Sequence, residues 1–121
     1  MIHIITSLLN AMPPSHPSEQ DLLKTILQPL LEDFSHWFSR SINLLESERI
    51  SFLSESEQDE LLAKVKNAIQ EVSVAQMLFS ATDSQVGIEP STMLTWHKIV
   101  GECWRVATLF RQLQSAKINQ D

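Results

Sequence analysis

The chain has 121 residues, 43% of them hydrophobic and 20% charged, which suits one folded domain with a modest core and excludes a disordered chain. Two glycines and no tyrosine argue against a β-rich domain, which would need more turn glycines and more aromatic runs. The formal charge of −6, fifteen acidic residues against nine basic ones, comes with no basic stripe, so neither nucleic acid nor an anionic membrane surface is the expected partner.

The first 18 residues read as an arm. The stretch PPSHPS, residues 13–18, holds three of the five prolines and cannot continue a helix. Before it, Ile5, Leu8, Leu9 and Met12 share one helical face. Residues 1–12 are therefore a short docking helix, an unstructured arm, or a stretch preceding a true start at Met12. They carry no Lys or Arg, which argues against a secretory signal. They could also touch a membrane peripherally, although no apolar run reaches the roughly 18 residues that a transmembrane span needs.

The body, residues 19–118, reads as three amphipathic helices. The first is expected over residues 19–46, with Leu23, Leu27, Leu30, Phe34, Trp37, Ser41 and Leu44 on one stripe. Pro29 lies inside it and has no N–H to donate to the Thr25 carbonyl, so a kink or break is expected near Gln28. The second helix starts with a capping box, Ser54 followed by Glu57, and ends near Ala81. Its stripe is Leu61, Val65, Ala68, Val72, Ala75 and Phe79. Residues 82–92 combine Asp, Gly, Pro and Ser into a connection. The third helix is expected over residues 91–118, with Met93, Trp96, Val100, Cys103, Ala107 and Phe110 on its stripe. Ile99, Val106 and Leu113 widen that stripe to nearly half the circumference, enough to touch two neighbours. The fold class is all-α: an antiparallel three-helix bundle with its first helix kinked at Pro29.

No constellation carries catalysis, and the chain is not expected to be an enzyme. Asp33 and His36 form one carboxylate-x-x-His element, whereas a di-iron bundle needs two and further inward glutamates. No metal or other cofactor is expected. Cys103 lies on an apolar stripe, where a cysteine acts as a small hydrophobe, and His97 is six residues away on another face. A lone cysteine also precludes an internal disulfide and suits a reducing, cytoplasmic setting. The acidic cluster of Glu46, Glu48, Glu55, Glu57, Asp59 and Glu60 marks a helix end and the next helix start, where capping and solvation account for it.

Two places stand out as candidate interaction sites. Trp104 sits on the flank of its stripe beside Gly101, with His97 and Arg111 on the same side, as an interface anchor would. Val74, Met77 and Leu78 point away from the second helix's stripe and form either an interface or a contact with a neighbouring element.

Three segments are distinctive as sequence: LLKTILQPLLEDFSHWFSRSINLLE (22–46), ERISFLSESEQDELLAKVKNAIQEV (48–72) and TMLTWHKIVGECWRVA (92–107). Together they resemble a family of small cyanobacterial proteins built on a domain of unknown function, and the similarity spans residues 22–110. The resemblance implies a cyanobacterial, intracellular setting and supplies no catalytic residue. The expected function is a non-enzymatic helical interaction module, an adaptor or assembly factor, whose partner is another protein or a second copy of itself. The alternative is a small-molecule carrier that holds a pigment or lipid between the helices, with His36 and His97, each beside a tryptophan, as polar contacts.

Overall fold

The structure, a computed structural model, describes residues 19–82 and 88–120; the expected arm, residues 1–18, lies outside the described residues. Three helices follow in order: α1 (Glu19–Ser47), α2 (Glu55–Ala81) and α3 (Pro90–Gln120), with no strand among the described residues. At 1.5 Å per residue the longest, α3, runs roughly 46 Å. The bundle is up-down-up: α1 meets α3 at Phe34 with Trp96 and again at Trp37 with Trp104, so the first and third helices run in the same direction.

Each helix boundary has a local cause. In α1, Pro29 is solvent-exposed and the helix continues through it, so the break that the proline permits does not occur. The start of α2 is the expected capping box: Glu57 N–H donates to Ser54 Oγ at 3.0 Å, and Ser54 N–H donates to Glu57 Oε1 at 2.9 Å. These bonds hold the Glu57 carboxyl below its ordinary pKa, the Ser54 backbone N–H contributing most. At its far end Thr82 N–H donates to the Leu78 carbonyl.

One core joins all three helices. α2 presents Leu61, Val65, Ala68, Val72 and Phe79 as expected, all buried. α3 contributes Trp96, Ile99, Val100, Cys103 and Val106. α1 differs from the expected register. Its buried line is Leu27, Leu31, Phe34, Phe38 and Leu45, while Leu30, Trp37 and Leu44 are only partly covered. Leu27 and Phe34 keep their expected place, while Leu31, Phe38 and Leu45 replace Leu30, Trp37 and Leu44, which turns the core face by roughly 60° of helix. The reason is that apolar residues come in adjacent pairs (Leu30–Leu31, Trp37–Phe38, Leu44–Leu45), and α1 has two neighbours to meet. Leu113, expected to widen the stripe of α3, is half exposed, because every described side chain from Arg111 to Ile118 is exposed and α3 outlasts its neighbours there.

The α1–α2 corner is pinned by a residue whose burial the sequence reading did not anticipate. Gln58 stands one turn before Leu61 on the core stripe and is 7% exposed. Its Nε2 donates to the Leu45 and Glu48 carbonyls at 2.9 and 2.8 Å, and its Oε1 accepts from Ile50 N–H at 3.0 Å. The Arg49 guanidinium adds a donor to the same oxygen at 2.6 Å and holds the Ile50 and Leu53 carbonyls. Carbonyls at the end of α1 are thereby capped by a side chain from α2. Ile50, fully buried, is plugged into the core beneath. Two exposed ion pairs, Lys66–Glu46 at 3.1 Å and Lys64–Glu102 at 3.6 Å, link α2 to the other helices and add little energy.

Candidate interaction grooves

The aromatic residues divide into an inner and an outer set. Inside, Phe34 packs on Phe38 with ring centroids 6.0 Å apart and edge-on against Trp96 at 5.5 Å. Trp96 is 1% exposed and directs its indole N–H toward Glu71 at 3.4 Å, which lets a buried tryptophan keep its polar atom partnered. Outside, Trp37 meets Trp104 edge-to-face at 5.3 Å and His36 at 5.4 Å, with the Arg40 guanidinium 5.7 Å above its ring. Trp104 remains 53% exposed despite this contact.

That outer set lines a groove of about 370 Å³ between α1 and α3. Trp37, Arg40, Ser41 and Leu44 form one wall, and Cys103, Trp104, Ala107, Phe110 and Arg111 form the other. Three of the four α1 residues, Trp37, Ser41 and Leu44, belong to the expected core stripe, so the turned face of α1 and the groove are one fact. Arg111 lines the groove with Trp104. His97 shares the face of Trp104 but stands two turns, roughly 10 Å, before it and does not line the groove. Arg40 was not singled out from the sequence; its signal is the spacing from Trp37, which puts a cation over an aromatic one turn earlier.

The floor of the groove is chemically quiet. Cys103 is 6% exposed, and burial pushes its thiol above the usual cysteine pKa, opposed by the nearby Ser41 hydroxyl and aided by the Glu102 charge. Such a thiol stays protonated at neutral pH and is a poor nucleophile. Among the described residues no three His, Cys, Asp or Glu side chains come together as metal ligands would, and His36 of the Asp33–His36 element packs on Trp37.

The second expected patch is only partly assembled. Val74 and Leu78, about half exposed, line a groove of about 420 Å³ between α2 and the start of α3, with Ala75, Ile88 and Trp96. Met77, 64% exposed, falls outside that lining, beside Ser73, Gln76 and Ser80 on an open surface.

Helix order, capping box and core leave the family as the remaining question. The profile of one family, described as "Protein of unknown function (DUF2605)", matches residues 17–112. The chain belongs to the DUF2605 family. The matched span includes the whole α1–α3 groove, from Trp37 to Arg111, and stops before the exposed residues 113–118 of α3. No curated protein and no solved structure matches the chain. No helix described here is long and apolar enough to cross a membrane.

Proposed function

We propose that this DUF2605 protein is a non-enzymatic helical interaction module, an adaptor or assembly factor, that seats a helix of a partner protein in the α1–α3 groove. One observation carries the reading: Trp104 is more than half exposed yet packs edge-to-face with Trp37. Holding a large apolar surface in water costs free energy, and a pre-positioned tryptophan loses little conformational entropy when it is covered. The groove around it is apolar on both walls and about two helical turns long, the footprint of a helix laid in a cleft. A cytoplasmic, cyanobacterial setting, implied by the sequence resemblance, belongs to the same proposal.

The test is affinity purification of the full chain from cyanobacterial cells, wild type beside Trp104→Ala, read by mass spectrometry. A partner, or a second copy of the chain, that is recovered with wild type and lost with Trp104→Ala supports the reading. A partner kept by both moves docking to the α2–α3 groove at Val74 and Leu78. A second reading, a carrier of a pigment or lipid, draws on the volume of the α1–α3 groove, which falls within the range of small-molecule sites. A purified protein with no bound ligand by mass spectrometry would count against it.

A further inference from the structure

The groove residues say something about the partner as well as its place. Among the nine residues that line the groove, the charged ones are Arg40 and Arg111, one on each wall, and no carboxylate is among them. This is a departure for a chain in which acidic residues outnumber basic ones fifteen to nine. The carboxylates nearest in sequence are engaged elsewhere: Glu46 pairs with Lys66 and Glu102 with Lys64, both toward α2. Among the described residues neither groove arginine has a carboxylate within ion-pair distance; Arg40 instead lies over the Trp37 ring.

Two guanidinium groups on opposite walls of a largely apolar cleft, neither paired with a carboxylate among the described residues, select the occupant by sign. We infer that the partner segment is an acidic amphipathic helix, with apolar side chains against Trp104, Leu44 and Phe110 and carboxylates on both flanks that meet Arg40 and Arg111. The inference rests on the groove being the docking site proposed above. A guanidinium prefers a carboxylate because its planar donor fork matches the two oxygens, and Arg40 is already oriented by the tryptophan beneath it. A helix with basic flanks meets repulsion at both walls. Because both arginines are exposed, each contact is a rim interaction of modest strength, and together they give about a tenfold preference that weakens with salt.

The experiment uses the full chain and three defined probes, followed by nuclear magnetic resonance of the Trp37 and Trp104 indole N–H groups. The first probe is an amphipathic peptide of about four turns, with leucines on one face and glutamates on both flanks. In the second, lysines replace those glutamates; the third is dodecanoate. The expected result is that the glutamate peptide binds about tenfold more tightly than the lysine peptide at low salt. That advantage disappears in an Arg40→Gln/Arg111→Gln double variant, whose fold is checked by circular dichroism. Equal affinity for both peptides overturns the acidic partner and leaves the docking groove standing. Binding of dodecanoate with neither peptide, or no binding at all, overturns both the acidic partner and the docking groove.

Discussion

Replacing Gln58 by leucine isolates what one buried amide contributes to the corner between α1 and α2. Leucine is close to glutamine in volume, so the change removes hydrogen bonds with little cavity. It leaves the buried Leu45 carbonyl and Ile50 N–H without the partner that Gln58 provides, while the Glu48 carbonyl, nearer the surface, can take water. Stranding a buried backbone group costs about 1–3 kcal/mol, so the two groups together give a loss of about 2–6 kcal/mol. Against the roughly 5–15 kcal/mol typical of a domain, that is a large fraction. At about 4 °C per kcal/mol for a chain of 121 residues, the melting temperature falls by about 8–24 °C. Urea unfolding followed by circular dichroism measures it, beside Arg49→Ala, which keeps the amide and costs less because Arg49 is exposed and water can replace its donors. A loss below about 1 kcal/mol for Gln58→Leu would show that the corner finds other partners and that the amide is not what pins it.

Four further outcomes follow from single sites. Gly101 is an exposed helical position with nothing within 4 Å of an added Cβ, so Gly101→Ala raises stability by about 0.5–1 kcal/mol in thermal melts; destabilisation would contradict the open space. Ser54→Ala lowers stability by about 1 kcal/mol through loss of the α2 cap, and a change within error would mean water replaces it. Because folding depresses the Glu57 pKa, its contribution is present above the ordinary carboxylate pKa and is lost as pH falls through the folded value; the stability gap between wild type and Glu57→Ala therefore narrows on acidification, and a gap constant with pH opposes this. Cys103, buried and with a raised pKa, reacts slowly with a thiol-specific disulfide reagent at about pH 8 in the native protein and quickly in urea; prompt native labelling would mean the α1–α3 seam opens readily.

How much the residues announced in advance varied along the chain, for physical reasons. α2 was legible almost residue by residue because it has a sharp start at Ser54 and one clear apolar line, from Leu61 to Phe79. α1 gave its extent but not its register. Where apolar residues stand side by side, as at Trp37 and Phe38, a spacing rule admits either as the core, and only the position of the neighbours decides. Phe38 is fully buried in the core that all three helices share, and Trp37 is left at the α1–α3 groove. Gln58 escaped notice for the opposite reason. It sits on the apolar line, but a polar residue next to Glu57, Asp59 and Glu60 reads as surface until the ends of α1 and the Ile50 loop are seen to need its hydrogen bonds.

The candidate site follows from the same ambiguity. A helix that meets two others needs an apolar arc wider than one stripe, and the edge of that arc is only half covered wherever the third helix diverges. On α1 the edge is Trp37, Ser41 and Leu44; on α3 it is Trp104, Ala107 and Phe110. Simple seam residues there would need no arginine and no tryptophan, since small apolar side chains could close the gap. The chain instead places Trp104 half in water, a bare Gly101 one turn before it, and Arg40 and Arg111 on facing walls. An aromatic anchor and two cations make a poor filler for a bundle's own seam, and this supports the acidic, apolar partner surface that we propose.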